Sequence, residues 1–308
     1  MKKQGGKMFV KKHLGTRGLI RVFLCFMMMF FVSGQLFAKS YYNDFEKAFT
    51  NRNIAKVEKI LKKWEKESPT DLELYFAYFN YYLSKSKSEK MAAVTTPSGK
   101  NVNVRISDYD DELLNKALSY TEKILEQHPN RLDVFTGYVD VYSKKRSYDK
   151  LLETLERMLK ISKEYDNKWL WRCGEYEGDG MENLLDVYNS VFATLYERPK
   201  TEEYIKTFID ISMQYYPTNY WVLYCVGNSY IRLKDFPKAL TCFEKSVEDN
   251  PECYESLINL GFYYETEEVN LEKALEYFKL VTKSPNENLA NFAKEKILEL
   301  EQSLRIGK

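Results

Sequence analysis

Apolar positions recur every three or four residues along most of this chain, and proline breaks the pattern at intervals. Pro217 and Pro251 stand 34 residues apart. Six residues after each come Leu223 and Leu257, and nine after come Val226 and Leu260. Gly227 and Gly261 follow directly, then Tyr230 and Tyr264. After one inserted residue in the second copy, Ala239 matches Ala274, Phe243 matches Phe278, and that copy closes at Pro285. Leu, Val, Gly and Tyr at i, i+3, i+4 and i+7 mark one face of a helix. The Ala and Phe belong to a second helix, with Lys234-Asp235-Phe236 as the turn. Pro ends the unit because it cannot continue a helix. The small Gly and Ala let the two helices approach, and the large Phe fills the space left over.

These residues resemble tetratricopeptide repeats, whose pattern pairs Leu-Gly-x-x-Tyr on one helix with Ala-x-x-x-Phe on the next. The same spacing runs backwards with bulkier residues. After Pro129 come Phe135, Tyr138, Val139 and Tyr142, with Leu151, Leu155 and Met158 on a second helix. After Pro69 come Tyr75, Tyr78, Phe79 and Tyr82, whose partner helix is displaced to Ala117, Thr121 and Ile124. Val57, Leu61 and Trp64 form a second helix paired with Phe45 and Ala48. Phe192, Ala193 and Tyr196 lead to Ile205 and Ile209. The resemblance implies an all-α fold over 39–285, a right-handed α-solenoid of about six helical hairpins. Residues 286–308 read as a capping helix and tail, apolar on one side and charged on the other.

Two insertions interrupt the period, at about 83–110 and about 163–181. The first holds Val94 to Ile106 around Pro97-Ser98-Gly99, the pattern of a short β-hairpin. The second holds Trp169, Trp171 and the loop Cys173 to Gly180. Insertions in repeats map to loops, either on a working face or packed over the array.

Composition separates the head from the body. Lys2, Lys3, Lys7, Lys11, Lys12, Arg17 and Arg21 fall in residues 1–38, which hold no acid, so the rest of the chain is mildly acidic. That removes the electrostatic case for nucleic acid. The basic stretch is followed by eleven apolar residues, Val22 to Val32, and then by Ser33 to Ala38. This order predicts a signal peptide cut after Ala38, and the run falls short of the roughly 20 residues that span a bilayer. The alternative is an uncleaved N-terminal anchor. No Cys follows the apolar run at a cleavage site, which argues against lipid attachment. Cys173, Cys225, Cys242 and Cys253 would remain, open to three disulfide pairings. Cys225 and Cys242 read better as helix core.

Catalytic chemistry is thin. The two histidines are His13 in the head and His128 before Pro129, which leaves no His-rich metal site and no Ser-His-Asp or Cys-His arrangement. No phosphate-binding glycine loop or His-Glu-x-x-His occurs. Asp179 between Gly178 and Gly180 lacks the ligand order of a calcium loop and reads as a solvated turn. The chain therefore reads as non-enzymatic, without cofactor or metal. A carbohydrate-active enzyme would require an acidic pair facing one cleft.

The resemblance implies that the first helix of each hairpin lines a concave face. The groove residues would be Trp221, Tyr224, Asn228 and Arg232, then Glu255, Ile258, Phe262 and Glu265, with Glu73, Phe76 and Asn80 further back. Trp and Tyr in such a groove anchor an extended peptide and Asn holds backbone groups, while the alternative role of the aromatics is packing between repeats. Asn228 and Asn259 resemble repeats that clamp a C-terminal carboxylate, but the lysine of that clamp falls at Tyr224. The expected function is an exported, periplasmic or envelope-facing scaffold for a protein or peptide. The alternative is an assembly component tethered by its N-terminal segment.

Overall fold

The computed structural model describes residues 41–95, 100–172, 174–175 and 178–306. The signal-peptide and anchor readings of 1–38, the tip of the first insertion at 96–99 and Cys173 lie outside them. Among the described residues, no helix is long and apolar enough to cross a membrane. The chain divides into two compact units, one formed by its residues up to Glu89 together with Tyr109–Gln127, the other by Lys90–Asp108 and His128 onward.

In the first unit, α1 runs through residues 41–50, α2 spans Ile54–Glu67, α3 Leu72–Ser86 and α4 Asp111–Gln127. Phe45, Ala48, Val57, Leu61 and Trp64 form one buried cluster, as their helical spacing predicted, joined by Leu74 and Ala77 of α3, which the spacing had not named. Trp64 is fully enclosed, and its indole N–H donates to Asp71 Oδ2 at 2.8 Å. The other oxygen of Asp71 caps α3 by accepting from the Glu73 amide at 3.0 Å, so one carboxylate satisfies a buried donor and a helix end. The displaced partner predicted for α3 is α4, and the two pack directly, with Tyr78 and Tyr120 stacked 4.8 Å apart. The first insertion therefore sits in the turn of a helical hairpin. It is a two-stranded sheet of β1 (Lys87–Thr95) and β2 (Asn101–Tyr109), longer than the sequence pattern predicted because β1 starts at the end of α3.

The second unit carries the remaining pairs: α5 (Leu132–Lys145) with α6 (Tyr148–Glu164), α7 (Gly180–Tyr196) with α8 (Glu202–Tyr215), α9 (Tyr220–Arg232) with α10 (Phe236–Asp249), and α11 (Tyr254–Thr266) with α12 (Leu271–Val281). Helix α13 (Glu287–Ile306) closes the series, burying Ala293 and Leu300 against the last pair. The outcome is an all-α, tetratricopeptide-like helical repeat fold with thirteen helices among the described residues.

The repeat signature has a direct steric cause. A Cβ placed on Gly227 would lie 2.5 Å from the Phe243 ring, and one on Gly261 would lie 2.7 Å from the Phe278 ring. Only glycine admits the ring there. At the same offset, the earlier copies carry Phe79 and Val139, both buried. The turn falls at 233–235, with Phe236 already helical. Lys234 takes a left-handed φ of 62°, and Asp235 caps α10 through the Lys238 amide. Asn219 and Asn270 cap α9 and α12 the same way.

Cys225, Cys242 and Cys253 are buried free thiols. Burial pushes the Cys225 thiol well above its ordinary value and pushes Cys242 up to about 11. The thiolate is the nucleophile. Iodoacetamide at pH 8 should therefore leave both unlabelled in the folded chain over a time that labels them fully in guanidinium. Labelling of Cys242 should quicken as the pH approaches 11. Fast labelling of the folded chain at pH 8 would contradict this.

Candidate functional site

The residues expected to face a groove divide into two groups. On α9, the Trp221 and Tyr224 rings sit 5.0 Å apart, both half-buried. Burial pushes the Tyr224 phenol up to about 12, so it stays protonated and can donate a hydrogen bond at neutral pH. On α11, Phe262 is 37% exposed and packs edge-on to Phe278 at 5.6 Å, with Phe292 of α13 at 5.9 Å. Lys296 lies 5.6 Å from the centre of the Phe262 ring and pairs with Glu265 at 2.9 Å, so Glu265 is engaged in holding α13 to α11. Ile258 is half-buried and packs on the cluster of Leu257, Val281 and Ala293.

The polar candidates are already bonded. The Asn228 amide donates to the Tyr224 carbonyl at 2.9 Å, and its oxygen accepts from Asn259 at 3.4 Å, which links the α9 and α11 faces. Arg232 donates to the Arg198 carbonyl at 2.8 Å and lies 3.5 Å from Glu202. It joins α9 to the end of α7. Of the aromatic residues expected to face a groove, Trp221 and Tyr224 on α9 stay half-buried and Phe262 on α11 stays exposed.

A second site lies between α5 and α7, where a groove of about 470 Å³ opens. Its α5 wall presents Thr136, Asp140 and Lys144, and its α7 wall presents Asn183, Asp186 and Ser190. The sequence did carry a signal for the first wall. The offsets that place Tyr224, Asn228 and Arg232 after Pro217 place Thr136, Asp140 and Lys144 after Pro129. No proline precedes α7 at that offset, because the second insertion intervenes, so its wall was unmarked.

That insertion, 165–179, is narrower than the expected 163–181 because α6 continues to Glu164 and α7 begins at Gly180. It contains a two-stranded ribbon, β3 (Leu170–Trp171) against β4 (Gly174–Glu175). Asp179 accepts from the Met181 amide at 2.7 Å and from Glu182, so in the expected turn it serves as the cap of α7. Asp140 and Asp186 do face one groove, but both are exposed and Asp140 is bound to Lys144 at 2.6 Å.

Residues 220–253 match the tetratricopeptide repeat family, the stretch in which the Leu-Val-Gly-Tyr and Ala-Phe positions were read. The chain thus carries a tetratricopeptide repeat within a repeat fold of that type. No curated protein matches the sequence. Among solved structures it is similar to the C-terminal part of a TPR repeat-containing protein from Cytophaga hutchinsonii, at 15% identity and a TM-score of 0.43, over 85% of this chain and 95% of that one. It is also similar to YrrB, described as a TPR protein with an unusual peptide-binding site, at 20% identity and a TM-score of 0.37, over 76% of this chain and 97% of that one. A third is an assembly chaperone of RpL4, at 11% identity and a TM-score of 0.38, over 87% of this chain and 99% of that one. At scores this low the likenesses bear no weight in the functional reading.

Proposed function

We propose that this protein is a non-enzymatic scaffold that binds a protein or peptide partner through the first-helix faces of its repeats, with α9 and α11 supplying aromatic anchors. The observation that carries this reading is the accessible aromatic surface on those helices. Phe262 remains 37% exposed, and Trp221 and Tyr224 are half-buried and clustered on one helix. Partly exposed Trp, Tyr and Phe beside a packed core supply large contact area at little entropic cost, which is why they dominate binding hot spots. The order of basic, apolar and small polar residues in 1–38 supports export to the periplasm or envelope.

The test is a pull-down with the full-length chain beside a Trp221→Ala, Tyr224→Ala, Phe262→Ala variant, with circular dichroism to establish that both are folded. The folded variant is expected to retain the partner at least tenfold less. Equal retention by both would remove the α9–α11 face as the site. N-terminal sequencing of the mature form addresses export, since a chain beginning at Lys39 has lost any tether.

A further inference from the structure

The first unit gathers tyrosines that the binding reading leaves unused. Tyr78 and Tyr82 of α3 and Tyr120 of α4 stack on one another, each pair of planes within 18° of parallel. Tyr78 and Tyr120 are the closest of them, with ring centres 4.8 Å apart, against 6.0 Å for Tyr78–Tyr82 and 5.9 Å for Tyr82–Tyr120. Tyr75 leans on Tyr120 at 6.1 Å, and Tyr81 sits edge-on to Tyr82 at 5.0 Å. A phenol is among the most readily oxidised side chains, provided that its proton leaves with the electron. Two features therefore decide which ring of a cluster is oxidised: a base on its hydroxyl and a charge at its face.

Tyr78 has the base. Its hydroxyl donates to Glu65 Oε2 of α2 at 2.8 Å. Burial, reinforced by that hydrogen bond, pushes the phenol far above its ordinary value, so it keeps its proton until an electron is removed. The neighbouring rings carry cations instead. Lys116 Nζ lies 4.4 Å from the centre of the Tyr82 ring, and Lys123 Nζ lies 5.3 and 5.2 Å from those of Tyr75 and Tyr120. A positive charge so close is attracted to the electron-rich ring and opposes loss of an electron from it. Tyr81 also donates to a carboxylate, Glu58 at 2.5 Å, but Lys85 donates to the same phenol oxygen at 3.1 Å and stands 5.3 Å from the ring centre. An oxidising equivalent that enters the cluster therefore settles on Tyr78.

We infer that Tyr78 and Tyr120 form an oxidative modification site, converted by a one-electron oxidant into an intramolecular dityrosine that joins α3 to α4. Tyr78 gives an electron to the oxidant and its hydroxyl proton to Glu65, leaving a neutral phenoxyl radical. Tyr120, half-buried, gives an electron to a second equivalent of oxidant and its proton to water. One carbon–carbon bond then forms between ring positions ortho to the two oxygens. The hydrogen on each joined carbon leaves as each oxygen regains one, which restores both phenols. Two electrons and two protons are lost in all, and two equivalents of oxidant are reduced. Tyr78 is only 8% exposed, so its radical meets Tyr120 and not a second chain. The new bond closes the chain between the two tyrosines, with the β1–β2 ribbon inside it, into a covalent loop. Such a loop restricts the unfolded chain as a disulfide does.

The experiment oxidises the full-length chain at high dilution with a photo-excited ruthenium bipyridyl complex and persulfate, followed by digestion and mass mapping of crosslinked peptides. Circular dichroism establishes that each variant is folded. The expected product is a single chain, lighter by two hydrogens, in which the Tyr78–Tyr120 crosslink exceeds any other by at least tenfold. Tyr120→Phe keeps the stacked ring but removes its phenol, and should lower the dityrosine yield at least tenfold. Glu65→Gln still accepts the hydrogen bond but cannot take the proton, and should slow crosslinking at least threefold. Tyr82→Phe should leave the crosslink in place. Crosslinks scattered over the 25 tyrosines, or formed mainly between chains, would overturn the inference. So would an unchanged rate in the folded Glu65→Gln protein, since Tyr78 would then have no advantage over its neighbours. A dose that oxidises other side chains and yields no dityrosine would overturn it as well.

Discussion

Replacing Arg131 with Met is expected to destabilise the second unit by about 3–5 kcal/mol, the cost of leaving one member of a buried ion pair without its partner. Arg131 and Asp133 have side chains only 2% exposed, so no water is at hand to solvate the Asp133 carboxylate once the guanidinium is gone. Arg131→Met with Asp133→Leu should recover most of that loss, because a buried pair replaced as a whole by apolar residues of similar size is often neutral or better. The double variant should still differ from the parent in one respect. The Arg172 amide loses its acceptor, so the 165–179 insertion should become more susceptible to limited proteolysis. Urea unfolding of the three proteins measures the first effect, and mapping of proteolytic cuts measures the second. A loss below about 1 kcal/mol in the single variant would mean that the pair is solvated after all.

The contact between Gly227 and Phe243 should behave as a lock in which each residue presupposes the other. Phe243→Ala is expected to cost about 3–5 kcal/mol, since it empties a site enclosed by Ala239 and Leu260. Gly227→Ala introduces a Cβ 2.5 Å from the ring and should cost about 1–3 kcal/mol through overpacking. The gain in helix propensity from Gly to Ala, up to about 1 kcal/mol, offsets part of that. In the double variant the new Cβ has room, so the combined loss should fall short of the sum of the two single losses. Strict additivity in a denaturant-unfolding cycle would show that the steric argument is wrong. The same cycle at Gly261 and Phe278 should give the same sign, because the geometry repeats at 2.7 Å.

The fold was legible because its instructions are local and repeated. Helical spacing of Val57, Leu61 and Trp64, or of Leu151, Leu155 and Met158, names the buried face of one helix without reference to any other. Two in-register copies around Pro217 and Pro251 then name the partner helix and the turn. The paired positions of α3 and α4 were found despite the β-hairpin between them, since Ala117, Thr121 and Ile124 keep their own spacing. The aromatic residues of α9 and α11 were named as groove residues from the family pattern, and Phe262 is exposed while Trp221 and Tyr224 are half-buried. Less accessible was the state of their polar neighbours. That Asn228 is tied to Asn259 and Arg232 to Arg198 depends on how successive helices meet.

Legible in the sequence alone were the period, most of the buried helix faces, the Gly-against-Phe fit and the sign of the charge on head and body. Each follows from a periodicity or a composition that a single segment carries. Where the second insertion packs follows from long-range contacts alone. Residues 130–133 and 167–172 are far apart in the chain, and neither segment has a pattern that predicts the other. Their pairing arises where a buried charge must find its counter-charge and unpaired backbone groups their partners. That pairing sets Trp171 at the mouth of the α5–α7 groove.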